Sequence, residues 1–527
     1  MKKIGMLFCA MLASFTLFAD PIVWTSPPET ISVTGEDSTN PVVVMDPSGN
    51  AIALWIGNGF VKSSVMLSGF DWGSISVVSA SGASDPFLIV DQAGNATAAW
   101  IRSGAVETAS LPVGGSWTSP TVLSSSGASS IHMAVDQPGD VVVVWARGGN
   151  IESATQLFGG SWPVSPDVIM STAAAAPRVS IGGVAPNTEV MVVWHGSGMF
   201  SNTVIYEADK IMGGSWGAPQ PVSDTSLNGQ FADIAVDSNG NALAIWYQYT
   251  VMGSYFTDIT VQTSKKPFGS TWSSAGSFND AGQRNPADLL ARVAFDINGN
   301  AMAIWTDSLD DASFMIQSSI LPVNGTWMNP IDLASSNLYA YHFNFTINEF
   351  SSAFIAYMVY DPTVPGVLIQ SSGSYIPEVF EKNWTISNVI SQGSQNGFPS
   401  IASSLGASST NNLVAVWVSY DGMNTVIQSA TGSNHNALAP TSLNVTQSFN
   451  NLNVFQEYYN ILTWQDSTST GVKGYYIIRD GIFLSEVLPG VMQYIDDNRE
   501  PGVPVTYQLI TTTSRAFQSM PATITYP

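Results

Sequence analysis

The chain has 527 residues, of which 45% are hydrophobic and only 10% charged; Lys+Arg is 16, Asp+Glu is 39 and the formal net charge is −23. This length exceeds one ordinary core and calls for about three domains or one large repetitive architecture. The acidity argues against nucleic acid and anionic membranes as partners, and 45 Gly with 29 Pro is too ordinary for a collagen-like or disordered chain.

The first element is a targeting segment. Lys2 and Lys3, the apolar run Ile4 to Phe18 and the small Ala19 read as a signal peptide over residues 1–19, too short to span a membrane comfortably. The only cysteine, Cys9, lies inside it, so the mature chain has no disulfide, thiolate nucleophile or Cys-ligated metal site. Export without disulfides points to a bacterial protein that is secreted, periplasmic or at the cell surface. No later stretch reaches the length of a membrane helix, so no integral span is expected after signal removal.

A repeat then dominates the chain. Asp46 to Trp55 sets a template, Asp-x-x-Gly-Asn followed by an apolar strand ending in Trp, and Asp91–Trp100, Asp237–Trp246 and Asp296–Trp305 repeat it. Asp136–Trp145 is a close relative, and three degraded copies end at Trp194, Tyr357 and Trp417. The mean period is about 52 residues, at the upper end of propeller repeats. A second tryptophan alternates with the first, at Trp24, Trp72, Trp117, Trp162, Trp216, Trp272, Trp327 and Trp384.

Within one period the spacing predicts four strands, over residues 232–237, 242–248, 258–264 and 271–278, with a tight turn at Gly240-Asn241. Four antiparallel strands repeated eight times predict an all-β, eight-bladed β-propeller, with seven blades as the alternative if one degraded copy is not a blade. The chain opens on a fourth strand (Ile22 to Val33) and its last repeat ends on a third (Asn424 to Ala430). The N-terminal strand is therefore expected to complete the last blade and close the ring. The repeat resembles the Asp-Gly-Asn…Trp repeats of bacterial exported propellers and is more distantly similar to the Asp boxes of sialidase-type propellers. It departs from that box because its Gly follows the Asp by three positions rather than two. The propeller is expected over residues 20–432; the resemblance covers roughly 22–432, is architectural and carries over no catalytic residue.

A polar linker, 433–438, leads to a different pattern in 439–527, with about seven strands in a sandwich rhythm. Ala439-Pro440, Trp464, the run Gly474 to Gly481, Tyr494, Pro501-Gly502 and Tyr507 resemble a fibronectin type III domain. The resemblance implies a spacer or binding module, with Tyr507 in the place of the family's corner tyrosine.

Chemistry is sparse. The Asp-x-x-Gly-Asn turns offer oxygen ligands, but their spacing is not that of a calcium loop, so they read as hairpin turns whose Asp caps backbone N–H groups. The sixteen aromatic anchors recur once per unit each, which marks them as packing between blades rather than sugar-stacking platforms. The four histidines lack metal-ligand spacing, and no cofactor is implied.

Propeller function concentrates on the loops after second and fourth strands. The ligand-face candidates there are Arg102, Arg147, His195, Arg284, Asp307, Asp311, Asp361 and Asp421. Arg178 and Arg292 fall four residues before the inner-strand Asp position, near the channel mouth. No motif fixes a catalytic set among them. The reading is a non-enzymatic exported binding, adhesion or scaffold protein that offers a propeller face to a glycan or protein. The alternative is a carbohydrate-active enzyme, a glycoside hydrolase or sialidase-like protein, with its site at the channel mouth.

Overall fold

The computed structural model describes residues 22–526 apart from 69, 172, 199–201, 253–254, 281–288, 309–313, 334–338, 349–351, 361–365, 376–383, 385–386, 394, 404–412, 434–436, 438, 452–455, 470–471, 481, 514–518 and 520. Every element among these residues is a β-strand, and no helix is long and apolar enough to cross a membrane. The expected signal peptide, 1–19, lies outside the described residues, as do Arg284, Asp311 and Asp361.

The first sheet runs Ser38–Met45, Ala51–Gly57, Phe60–Met66, Ser76–Val77, in that order across the sheet. The same four-stranded antiparallel order recurs in sheets that begin with Ala83–Val90, Ala128–Val135, Ala175–Gly182, Asn228–Val236, Ala291–Phe295 and Tyr339–Ile347. The eighth sheet takes Gly397–Ser403, Leu413–Tyr420 and Thr425–Ser433 from the end of this series, and Val23–Trp24 and Glu29–Thr30 from the start of the chain. Val23 pairs with Ser433 and Glu29 with Ser429, antiparallel. The first strands of successive sheets touch one another, and that of the eighth touches that of the first. This ring of radial four-stranded sheets is a β-propeller arrangement, in which closure leaves only short, protected sheet edges.

The packing explains the two aromatic series. Trp55, Trp100, Trp145, Trp194, Trp246, Trp305, Tyr357 and Trp417 all lie on second strands and are fully buried. They anchor apolar clusters shared by neighbouring sheets: Trp100 packs on Ile52 and Leu54 of the first sheet, and Trp55 on Val414 and Ile427 of the eighth. The second series reaches backwards around the ring. The indole N–H of Trp216 donates to Ser153 Oγ (2.9 Å), that of Trp327 to Thr263 Oγ1 (3.0 Å) and that of Trp384 to Ser318 Oγ (2.9 Å), each on the third strand of the preceding sheet. Trp72 does the same to Ser429 (3.2 Å), across the ring closure.

One detail differs from the sequence expectation. The fourth strand of the fifth sheet is Gly276–Asp280, so Trp272 precedes it rather than sitting within it. Most fourth strands are only two residues long.

Beyond the ring, Thr441–Asn451, Gln456–Gln465 and Gln493–Asp496 form one sheet. Val472–Arg479, Ile482–Val487, Val505–Thr513 and Ala522–Tyr526 form another. Trp464, Tyr475, Leu462, Ile477 and Leu509 fill the core between them. Tyr507 is fully buried; its hydroxyl donates to Asp496 Oδ2 (2.5 Å) and accepts from Asn460 Nδ2 (3.0 Å).

Candidate functional site

The inner strands build the site. Seven of the eight contain a β-bulge, and at each bulge one residue adopts a left-handed backbone: Asn40, Asp85, Ser130, Ala176, Phe231, His342 and Phe398. Four of these are followed by Pro (Pro41, Pro86, Pro177, Pro399). A bulge on an edge strand tolerates the missing N–H.

Two residues past the bulge, one position per sheet sits at a common level. It always pairs with the residue just before the buried aromatic of the second strand. Around the ring this level reads Val42, Phe87, His132, Arg178, Asp233, Arg292, Asn344 and Ser400. All eight inner strands contribute to a cavity of about 860 Å³ at this end of the ring, lined by most of these side chains together with Asp85, Phe345 and Phe398.

Most of the polar members are structural. The inner strand presents unpaired N–H groups to its neighbour, and a side chain from the preceding sheet accepts them. Val179 N–H donates to His132 Nδ1 (3.2 Å), Val293 N–H to Asp233 Oδ2 (3.1 Å), Ile401 N–H to Asn344 Oδ1 (3.3 Å) and Val43 N–H to Ser400 Oγ (3.2 Å). The last of these again crosses the closure.

Arg178 and Arg292 stand outside this lacing, because a guanidinium has no acceptor to offer. Each turns Nη1 back to the carbonyl before it, on Pro177 (3.2 Å) and Ala291 (2.8 Å). Neither has a carboxylate within ion-pair distance among the described residues. Burial pushes the Arg178 guanidinium down to about 10, with the charge of Arg292 adding to the effect and Asp233 opposing it. Burial, then the charges of Arg178 and Arg292, hold His132 well below the ordinary histidine range. His132 is therefore neutral, in keeping with an Nδ1 that accepts a backbone hydrogen bond, and its ring meets Phe87 edge-on with centroids 4.7 Å apart.

The ligand-face candidates have other surroundings. Arg102 is held through Nε and Nη2 by the buried Glu107, whose Oε2 also accepts from Trp100 Nε1 (3.0 Å). Arg147, Glu152 and Trp145 repeat this trio in the next sheet. His195 is half-buried on the second strand of the fourth sheet, paired to Ala175, and burial lowers its pKa. Asp307 is half-buried near the end of its strand, paired with Met315. Asp421 is exposed and caps its own turn, accepting from Met423 and Asn424 N–H, which holds its carboxyl below the usual range. None of these lines the cavity.

The residues that do line it were marked in the sequence only for Arg178 and Arg292. The signal that locates the others at the common level is positional, four residues before the turn position, and not a residue type.

The turns themselves are capped as the sequence indicates. In the Asp46, Asp91, Asp237 and Asp296 turns one carboxylate oxygen accepts the N–H of the Asn four residues on, and the other accepts its side-chain amide. Among the described residues no group of three or more His, Cys, Asp or Glu is placed to hold a metal ion.

No protein-family model matches the chain, and no curated protein matches it. Among solved structures it is similar to a Dyadobacter fermentans protein of unknown function, with 12% identity over 76% of this chain and 100% of that one and a TM-score of 0.37. It is also similar to the leech intramolecular trans-sialidase, with 8% identity over 76% and 91% and a TM-score of 0.37. A Bacteroides thetaiotaomicron endo-arabinase matches at 8% identity over 57% and 93%, with a TM-score of 0.29. The fold assignment stands on the ring of sheets and its closing contacts.

Proposed function

We propose that this is an exported, non-enzymatic binding protein that presents one end of its propeller channel to a glycan or protein ligand. In this reading the eight sheets are eight blades closed by the N-terminal strand, residues 1–19 are removed on export, and 439–527 form a fibronectin type III-like spacer. The supporting observation is the cavity of about 860 Å³, within the range of ligand sites, to which every inner strand contributes. It combines two guanidiniums that the lacing does not use with the aromatic faces of Phe87, Phe345 and Phe398. Such a mix of charge and aromatic surface suits a saccharide better than a flat protein epitope.

The carboxylates that line the cavity are Asp85 and Asp233, and Asp233 already holds the Val293 amide. That leaves little for an acid–base pair and favours binding over hydrolysis. The test is a broad glycan array probed with purified residues 20–527, with and without EDTA. Discrete hits that survive EDTA and are not turned over support the reading. A blank array at high protein concentration removes the glycan and leaves a protein partner. Steady hydrolysis of a bound glycan, abolished by Asp233→Asn, replaces binding with catalysis.

A further inference from the structure

We infer that the channel end receives a long, uncharged polysaccharide, one stretch of which occupies the cavity while the rest runs out over the first three sheets. The inference rests on the binding reading above and names the charge, length and direction of its ligand. It starts from the hairpins between second and third strands, which form the rim at this end. In the first three sheets these segments, counted between the residues that pair with the common level, are 55–62, 100–107 and 145–152, eight residues each. In the other five they are 194–206, 246–262, 305–317, 357–370 and 417–428, twelve to seventeen residues. The rim therefore has one low sector, made by three adjacent sheets.

The low sector is a built feature. Each of its hairpins turns on two residues with positive φ, Asn58-Gly59, Ser103-Gly104 and Gly148-Gly149, which is the tightest connection that two twisted strands allow. Each turn is also tied to the next sheet. The carbonyl of Gly59 accepts the N–H of Ala83 (2.9 Å), that of Gly104 accepts Ala128 (2.8 Å) and that of Gly149 accepts Ala174 (3.0 Å). One bond made three times gives a fixed, low floor. A ligand that ended inside the cavity would need no such gap, and a folded protein surface would meet the five longer hairpins first.

The chemistry changes with the height of the rim. The left-handed bulge residues of the three low sheets are polar: Asn40, Asp85 and Ser130. Those of the sheets with longer hairpins are Ala176, Phe231, His342 and Phe398, three of them aromatic. A sugar ring has the matching asymmetry, with hydroxyl edges and an apolar C–H face.

The charges balance throughout. Arg178 and Arg292 share the cavity with Asp85 and Asp233, so with His132 neutral the lining has no net charge. On the low sector Arg102 pairs with Glu107, Arg147 with Glu152 and Lys62 with Glu36. Nothing there is left to compensate a charged chain, and a protein of net charge −23 repels a polyanion.

The experiment measures binding of the purified protein to β-1,4-glucan, β-1,4-xylan, β-1,4-mannan and α-1,4-glucan, each as disaccharide and octasaccharide, and to an octagalacturonate. At least one neutral octasaccharide is expected to bind tenfold more tightly than its disaccharide and than the octagalacturonate. Five residues, Gly-Ser-Thr-Ser-Gly, inserted between Ser103 and Gly104 raise the low rim to the length of its neighbours and should remove at least tenfold of that affinity. The same insertion between Gly114 and Gly115, at the opposite end of the sheet, should leave it unchanged. Thermal melts control for folding. If the first insertion does not fold, the same insertion between Asn58 and Gly59 or between Gly148 and Gly149 tests the same floor.

Equal affinity for disaccharide and octasaccharide, or full affinity in the folded rim variant, overturns the inference while leaving glycan binding intact. Tighter binding of the octagalacturonate overturns the uncharged ligand. No binding of any of these chains overturns the inference, and the broad glycan array decides the wider reading separately.

Discussion

Glu189 opens the second strand of the fourth sheet, is 5% exposed and leaves Oε2 without a hydrogen-bond partner. Glu207, Asp209 and Lys266 surround it. Burial pushes its carboxyl up to about 7, the charge of Lys266 opposes this, and Asp209 and Glu207 add to it. A carboxyl raised in the folded state holds a proton that the unfolded chain releases near the ordinary 4.5. Its contribution to stability is therefore intact below pH 4.5 and declines between there and about 7. The penalty at alkaline pH amounts to roughly 3 kcal/mol. Glu189→Gln is isosteric and cannot ionise. Its melting temperature should exceed that of the parent at pH 8, match it near pH 5, and vary less between these limits. Parallel pH profiles for the two proteins would remove Glu189 from the account.

At the level of the element, the Asp-x-x-Gly-Asn turn is a clip between strands and between sheets. The Asn that the Asp holds turns its Oδ1 to the turn after the third strand: Asn50 accepts from Ser68 N–H (3.0 Å), Asn95 from Val113 (3.1 Å), Asn241 from Phe268 (3.1 Å) and Asn300 from Val323 (2.9 Å). In the third sheet Asp140 plays the Asn role toward Phe158 (2.6 Å). The Gly is required for two reasons. Gly139 has φ +98, and a Cβ there would lie 2.9 Å from Phe158 Cδ2 and 3.1 Å from Oδ2 of Asp91 in the preceding sheet. Gly114 also has positive φ (+66) but nothing within 4 Å. Gly139→Ala should therefore cost about 1–3 kcal/mol, and more than Gly114→Ala, in chemical denaturation. Equal losses would mean that only backbone strain matters.

This clip also explains how much of the molecule could be read from the sequence. The turn and the tryptophans recur as residue types because their side chains make the same bonds in sheet after sheet, so their period gave the strand rhythm and the phase of closure. The channel level has no such constraint. Its bulges hold Asn40, Asp85, Ser130, Ala176, Phe231, His342 and Phe398, which share a backbone conformation and no chemistry. The lacing acceptor can be imidazole, carboxylate, amide or hydroxyl. Arg102 and Arg147 stood out instead because each follows its tryptophan by two positions. That spacing serves the shared bond to Glu107 and Glu152, which lie opposite those tryptophans on the third strand.

For the whole molecule, the decisive feature is that the two ends of one ring are joined only by non-covalent contacts at several radii. Nearest the channel, Val43 N–H donates to Ser400 Oγ (3.2 Å), and farther out Trp72 reaches Ser429 (3.2 Å). Ser38 and Asp37 bond Thr425, at 3.2 and 3.0 Å. Thr25 N–H donates to Thr431 O (2.8 Å), Ile31 N–H to Ile427 O (2.9 Å) and Ile427 N–H to Ser32 Oγ (2.9 Å). Ile22 and Ile31, at 4% and 5% exposed, seal the joint. Removing residues 22–33 deletes the outer part of this seam and keeps the inner part. Burial of the two isoleucines alone accounts for roughly 3–6 kcal/mol. The exposed edge of Thr425–Ser433 then offers a ladder to another chain. The truncated protein should melt earlier and less cooperatively than the parent, and should self-associate in sedimentation velocity as its concentration rises. A peptide spanning residues 22–33, added in excess, should restore the melting temperature and the monomer, because it refills an edge whose register is already set. A truncated chain that stays monomeric with an unchanged melt would show that the inner contacts alone hold the ring closed.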